Sequence, residues 1–449
     1  FGYGLLDFFN MNSPYQAALD GSIMGGQRPE IPSLNIDLST LKKNIDINDG
    51  LLSFNSIAEP VDIGSNNWAV TGALTDSASA MVSDDMHLGL RVPPIWYRAQ
   101  LNYISKGTDV TITGVSLPGT PIIIVGSNSH ISWGFTNANL DNVDWVRLKD
   151  ETKTEIVSEV IRLKNGEEIL DIEMSKYGPV RTMNDKRYAL VWVAHQDYAV
   201  NMSIMEMAES QNLEEAFTIA DKVRIPVQNL MLGDAQGNAG WRPIGAVTAR
   251  KTPSLFAIDE EDYSELWLQQ EPRLPSHINP SHGRLWTANA RVISADDFLR
   301  YGDGGYAVGA RGLQIRDRLF EKESFTEQDF YSIQMDNEAR FIMPWHMKLI
   351  NVLRKNPLLY AKDIEILNQW KNCACAESIG YTLARRYRST IINSLLAPIY
   401  DAMPDADRSL ESALRGIEPA IWMLLDTEAV DWLPGEFASY DSFLLASYT

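Results

Sequence analysis

Cysteine is nearly missing from this chain, with only Cys373 and Cys375 among 449 residues. A single residue separates the two, a spacing that disfavours a mutual disulfide in regular structure and offers no metal framework. They do not fix a redox compartment either. Long apolar runs are missing too: stretches such as residues 121–125 fall far short of the roughly 18 residues that span a bilayer, so no transmembrane helix is expected. Positive charge is scarce, with 39 Lys and Arg against 59 Asp and Glu and a net charge of -20. That balance argues against nucleic acid or an anionic membrane surface as partner, because both reward lysine and arginine. Neutral or cationic small ligands fit better. No internal repeat or low-complexity segment interrupts the chain. What it does have is 45% hydrophobic residues, enough for one large domain or several ordinary ones.

The most informative stretch is Gly64-Ser65-Asn66-Asn67-Trp68-Ala69-Val70. A serine hydroxyl is a poor nucleophile at neutral pH and needs a base within hydrogen-bond reach. One solution is to cut the chain just before the serine, so that the freed α-amine, with a reference pKa of roughly 7.7 to 8.0, acts as that base. This chemistry requires a small residue ahead of the serine and a following strand that fixes the new terminus. Gly64 meets the first requirement, and the β-prone run from Trp68 meets the second. Taken alone, Gly64-Ser65-Asn66-Asn67 reads first as a loop entering a strand.

The pattern of the chain falls into two halves. Strand-like runs dominate the first, at 68–72, 109–115, 122–125, 143–148, 156–163 and 188–193, with a hairpin tip at 234–238. A helix is predicted over 212–222, opened by Asn212 with Glu215 three residues on. After Arg311 the helical period takes over, at 313–321, 327–335, 343–353, 379–397 and 409–425.

Several further blocks follow Ser65 in order. They are Asp84-Asp85-Met86-His87-Leu88-Gly89-Leu90, Pro93-Pro94-Ile95-Trp96-Tyr97, Leu117-Pro118-Gly119-Thr120-Pro121, Ser132-Trp133-Gly134-Phe135-Thr136-Asn137 and Asp141-Asn142-Val143-Asp144. Weaker ones continue through Thr287-Ala288-Asn289 to Gly309-Ala310-Arg311. This ordered series resembles the penicillin acylase (penicillin amidase) family of N-terminal nucleophile hydrolases, which includes acyl-homoserine lactone acylases. The resemblance implies an α+β fold, the αββα sandwich of two mainly antiparallel sheets flanked by helices, with a helix-rich C-terminal part.

It also implies roles. The chain would cleave itself between Gly64 and Ser65, and Ser65 would be nucleophile and, through its amine, base. His87 falls where the family places a Gln or His that holds this amine. The backbone N–H of Asn137 and the carboxamide of Asn289 would meet the oxyanion, and Arg311 matches an arginine that orients Asn289. Trp96, Tyr97, Trp133 and Phe135 flank blocks expected to converge on the acyl pocket. Asp141, Val143 and Asp144 match part of a structural Ca²⁺ site, but three oxygen donors are too few for an ion that takes roughly 6 to 8. The remaining family ligands align poorly, a proline carbonyl with Thr248 and a distal aspartate with Asp296 or Asp297. No organic cofactor is implied.

By the same resemblance, residues 1–27 are the end of an α segment, 28–64 a spacer and 65–449 a β segment. The start at Phe1-Gly2-Tyr3-Gly4, with no charged start or apolar leader, leads us to expect a fragment. The expected product is an α/β heterodimer from one precursor, periplasmic, acting on a small N-acyl amide such as penicillin. An acyl-homoserine lactone acylase is the alternative within the family. A catalytically inactive ligand-binding relic is the alternative outside it.

Overall fold

In a computed structural model the described residues are 3–25, 28–34, 64–89, 91–250, 252–263, 267, 269–401 and 416–449. Most of the candidate spacer, Leu90, and the first part of the helix expected at 409–425 lie outside them.

The first helix, α1 (Tyr3–Phe9), precedes the sheets. The chain then enters a three-stranded sheet with β1 (Gly64–Val70) and β2 (Met81–His87). It passes to a second sheet with β3 (Tyr97–Ser105), β4 (Thr108–Ser116), β5 (Val125–Ser127) and β6 (Ile131–Asn137). A third sheet takes β7 (Val143–Arg147), β8 (Glu155–Leu163), β9 (Gly166–Ser175), β10 (Gly178–Met183) and β11 (Lys186–Trp192). Helix α2 (Leu213–Ala220) then leads back to the second sheet through β12 (Gln228–Asp234) and β13 (Ala239–Ile244). Strand β14 (Ile258–Asp259) joins the third sheet, β15 (His277–Ile278) the second, and β16 (Arg284–Thr287) closes the first beside β1. The rest is helical: α3 (Ala295–Tyr301), α4 (Ala310–Phe320), α5 (Glu327–Gln334), α6 (Met343–Leu353), α7 (Ala361–Asn368), α8 (Ile379–Asp401), α9 (Glu418–Thr427) and α10 (Tyr440–Ala446).

The second sheet has the order β15-β13-β12-β6-β5-β4-β3 and is antiparallel throughout. Its β12 shows why the layers stack. Leu230 and Leu232 pack with Leu213, Ala216 and Phe217 of α2, whereas Met231 points the other way, into a core shared with Ala69 and Leu285 of the first sheet. A strand covered on both faces is buried along its length. Beyond the first sheet, Ile315 and Leu319 of α4 and Phe330 of α5 close that same core, so helix, sheet, sheet and helix follow in order. A separate helical core joins Phe8 and Phe9 to Trp345, Tyr387, Leu424 and Phe443.

Local signals explain several boundaries. Asn212 caps α2, its side chain accepting from the Glu215 N–H at 2.9 Å. The tip at 234–238 joins β12 to β13, with Asp234 accepting from the backbone N–H groups of Gln236 and Asn238. The strand expected at 122–125 is displaced to Val125–Ser127, because Ile122 and Ile124 are spent on a cavity wall. The cysteine reading is corrected as well. Cys373 and Cys375 form a disulfide, their Cα atoms 5.2 Å apart. The pair sits in an irregular stretch between α7 and α8, following the left-handed Asn372 (φ 58°), so the constraint of regular structure does not apply.

Candidate active site

Antiparallel pairing of β1 with both β2 and β16 sets Ser65 opposite Met86 and places Asn67 opposite Thr287. Ser65 is 9% exposed and opens on a cavity of about 730 Å³. Gly64, Asn137, Asn289, Arg311, Trp96 and Phe135 line the same cavity, so the chain fold gathers most of the residues singled out above. The remaining wall is largely aliphatic, with Met86, Leu88, Leu117, Ile122, Ile124 and Met202 among its members. Sequence reading missed these because they come from loops and strand ends, where no periodicity marks them. Trp133 lines a neighbouring cavity of about 890 Å³, which shares Ile122 and Ile204 with the first. Tyr97 is 70% exposed and outside both cavities.

One carboxamide engages both functional atoms of the serine. Asn289 Oδ1 accepts from the Ser65 N–H at 2.7 Å, while its Nδ2 lies 3.4 Å from Ser65 Oγ. The Asn289 backbone is left-handed (φ 62°), a conformation that Asn tolerates better than most residues. Its carbonyl is held by Asn139 Nδ2 and the Ala307 N–H, both at 3.0 Å. Asn139 is a further residue that sequence reading did not find, although it stands just past the Thr136-Asn137 block.

Arg311, in the first turn of α4, clamps the group from the other side. Its Nη1 donates to the Ser65 carbonyl at 3.1 Å and to Asn66 Oδ1, and its Nη2 donates to Asn289 Oδ1 at 3.1 Å. Space around Gly64 is correspondingly tight: a Cβ there would stand 2.9 Å from Arg311 Nη2 and 3.0 Å from Asn289 Oδ1.

His87 sits opposite Gly64 in the β1–β2 ladder. Its ring faces away from the Ser65 N–H, contacting Asp85 Oδ2 at 2.9 Å and Asn66 Nδ2 at 3.4 Å. Although burial raises the Asp85 pKa, hydrogen bonds from His87, Gln334 and Asn66 bring it below the usual carboxylate range. His87 is thus tied to Asp85 and Asn66, and the Ser65 nitrogen belongs to Asn289.

The Asp141 and Asp144 carboxylates converge, but on a guanidinium. Arg250 Nη2 lies 2.9 Å from Asp141 Oδ2 and donates to the Asp141 carbonyl at 2.6 Å, and its Nη1 pairs with Asp144 Oδ1. Trp267 Nε1 donates to the other Asp144 oxygen at 2.6 Å, and its ring lies under the guanidinium at 4.9 Å. Burial pushes the Asp141 carboxyl up to about 6 and raises that of Asp144, against the pull of Arg250. Val143 is half exposed at the start of β7, and Asp297 is used to cap α3 with Ser294. A calcium ion needs carboxylate oxygens turned toward it and free of a competing cation. The donor set here does not fit one, because Arg250 already supplies the positive charge.

The sequence profile described as Penicillin amidase matches residues 7–439. Among curated relatives, the acyl-homoserine lactone acylase QuiP of Pseudomonas aeruginosa is 22% identical over 337 residues, covering 67% of this chain and 38% of its own length. The penicillin acylase 2 proenzyme of Pseudomonas sp. (strain SE83) is 24% identical over 331 residues, covering 68% of this chain and 42% of its own. The chain thus spans about two fifths of the length of these relatives. A solved structure of a thermostable penicillin G acylase from Alcaligenes faecalis shares the fold, with a TM-score of 0.61 at 17% identity over 77% of this chain and 66% of that one. With the profile covering nearly every residue, the chain belongs to the penicillin amidase family.

Proposed function

We propose that this chain carries the catalytic core of an amidohydrolase that cuts itself before Ser65 and then hydrolyses an N-acyl amide through an ester on Ser65. The observation behind this is the Asn289 carboxamide, which addresses the nitrogen and the hydroxyl of one serine at the mouth of a cavity. Self-cleavage would begin with attack of Ser65 Oγ on the Gly64 carbonyl carbon. The Gly64 C–Ser65 N bond breaks as the hydroxyl proton passes to the departing nitrogen, leaving an ester on Oγ and a free Ser65 amine, and water then hydrolyses the ester to the Gly64 carboxylate and the Ser65 hydroxyl.

In turnover the Oγ–C bond forms at the substrate carbonyl, and the hydroxyl proton passes to the amine through a water. The oxyanion is met by Asn289 Nδ2 and the Asn137 N–H. Collapse expels the leaving amine with that proton, and a second water frees the acid. Arg311 would hold Asn289 in place and favour the neutral form of the Ser65 amine, since a nearby cation disfavours a second positive charge. In this reading residues 1–27 end the α segment, 28–64 are the spacer, and the mature form is a periplasmic heterodimer. At the Asp141 and Asp144 carboxylates Arg250 takes the place of an ion. Among the described residues no helix is long and apolar enough to cross a membrane.

A second substrate reading has specific support. The cavity wall is mainly aliphatic, which suits an alkyl acyl chain as in acyl-homoserine lactones.

Mass spectrometry of purified protein should reveal a chain starting Ser65-Asn66-Asn67, and Ser65→Ala should stay in one piece. An intact wild-type chain that is active contradicts the proposal. A panel of penicillin G with short- and long-chain acyl lactones separates the substrates. Correctly folded, processed protein inert toward the whole panel points to the ligand-binding relic.

A further inference from the structure

Behind the serine, six buried side chains that do not line the cavity form one continuous hydrogen-bonded line between the two packed sheets. Trp241 Nε1 donates to Asn229 Oδ1 at 3.1 Å, and Asn229 Nδ2 donates to Thr136 Oγ1 at 3.0 Å. The hydroxyls of Thr136 and Thr287 are 2.7 Å apart. Thr287 in turn donates to Asn67 Oδ1, and Asn67 Nδ2 donates to Asp84 Oδ2 at 3.3 Å.

The direction of every link follows from one end. An indole N–H only donates, so Asn229 must present its oxygen to Trp241 and its NH₂ to Thr136. Thr136 then accepts from Asn229 and gives its own proton to Thr287, which gives its proton to Asn67. Only Asn67 with its NH₂ toward Asp84 completes the series. At the far end Gly134 makes room: a Cβ there would be 2.3 Å from Asp84 Oδ2. The Phe135 N–H donates to the same carboxyl.

The members of this line are neighbours of the reacting groups. Asn67 stands two residues after Ser65 on β1, and Thr287 two residues before Asn289 at the end of β16. Thr136 immediately precedes Asn137 on β6, and Asn229 on β12 also reaches the Asn137 carbonyl at 3.4 Å. The nucleophile strand and the carboxamide strand lie in one sheet, and the strand of the backbone donor lies in the other. The surrounding contacts of that interface are apolar and non-directional, through Ala69, Met231, Trp241 and Leu285 among others. Directional hydrogen bonds across a buried interface specify one arrangement where apolar packing tolerates several.

We infer that Asn67, Thr136, Asn229 and Thr287 are positioning residues that set the separation of Ser65 from its two oxyanion donors across the sheet interface. This rests on the amidohydrolase reading above. Displacement of reacting groups by about 1 Å can cost about 100-fold in rate. Thr136→Val preserves shape and removes both the donor and the acceptor. It is expected to lower kcat about 10- to 100-fold and leave KM within about twofold, since the side chain touches no substrate. Thr136→Ser keeps the hydroxyl and should restore most of the rate. Thr287→Val breaks the next link and takes over as the test variant if Thr136→Val does not fold.

Steady-state kinetics well below each variant's melting temperature, paired with mass spectrometry of processing at Ser65, decide the matter. A folded Thr136→Val enzyme with wild-type kcat overturns the positioning role, as does a Thr136→Ser enzyme as slow as the Val variant. A wild-type protein that neither cuts itself nor hydrolyses any amide overturns the amidohydrolase reading, and the positioning role with it.

Discussion

Replacing Asn289 by Asp separates the two jobs assigned to its carboxamide. The acceptor that meets the Ser65 N–H at 2.7 Å and Arg311 Nη2 at 3.1 Å is kept, whereas the Nδ2 donor 3.4 Å from Ser65 Oγ becomes a second acceptor. Asp is the informative choice because, at φ 62°, it tolerates the left-handed backbone nearly as well as Asn. Ala at this position adds a backbone cost of roughly 1–2 kcal/mol and confuses the comparison. Losing one oxyanion donor typically lowers kcat roughly 100- to 1,000-fold, about 2.7–4 kcal/mol of transition-state stabilisation. Asn289→Asp should therefore fall in that range in kcat with little change in KM, and its melting temperature should stay near that of the wild type. The assay is steady-state hydrolysis of the best amide found in the substrate panel, corrected for the fraction processed at Ser65. An Asn289→Asp enzyme within about threefold of wild type, under about 0.7 kcal/mol, refutes the donor role.

Two further outcomes concern stability. Burial raises the Asp84 carboxyl well above its usual value, so the folded state holds its proton more tightly than the unfolded chain does. Stability is then greatest below the unfolded pKa, declines as pH rises toward the folded pKa, and levels off above it. Asp84→Asn, measured by denaturant unfolding in the uncleaved Ser65→Ala chain, should gain on its parent progressively from acid to alkaline pH; a pH-independent difference contradicts the neutral carboxyl. At the second site, Arg250→Met strands the Asp141 and Asp144 carboxylates and should cost roughly 3–5 kcal/mol, while a chelator should leave the wild-type melting temperature unmoved. A chelator-induced drop refutes the reading of Arg250 as the resident cation.

What could be read from the sequence were features with a local cause. The Asn212 cap and the helix over Met343–Leu353 follow from residues a turn apart, and the structure reproduces them. Strand β9 was not anticipated, because Glu167, Glu168, Asp171 and Glu173 hide its alternation, and it forms by pairing along β8. Arg250 was beyond reach for another reason. It meets Asp144 across 106 residues, and a lone arginine in a loop has no spacing that reveals its partner. The displaced strand near Ile122 and Ile124 shows the same limit: hydrophobicity marks burial, and only the fold says whether what is covered is core or cavity.

The Ser-Asn-Asn run itself shows how much chemistry one strand can sort. Side chains on β1 alternate faces, so Ser65 and Asn67 look toward the second sheet while Asn66 and Trp68 look toward the helices. Asn67 accordingly enters the buried line with Thr287 and Asp84. Asn66 accepts from Arg311 and donates to Asp85 Oδ2 at 3.2 Å, while Trp68 packs on Phe330 of α5 at 6.0 Å. Ser65 is thereby fixed from both sides of the strand, by one asparagine facing the core and another facing the arginine. A one-residue slip of β1 would exchange these partners and turn the hydroxyl away from Asn289. The two asparagines therefore hold the register on which the proposed chemistry depends, a role distinct from the cleavable bond before the serine.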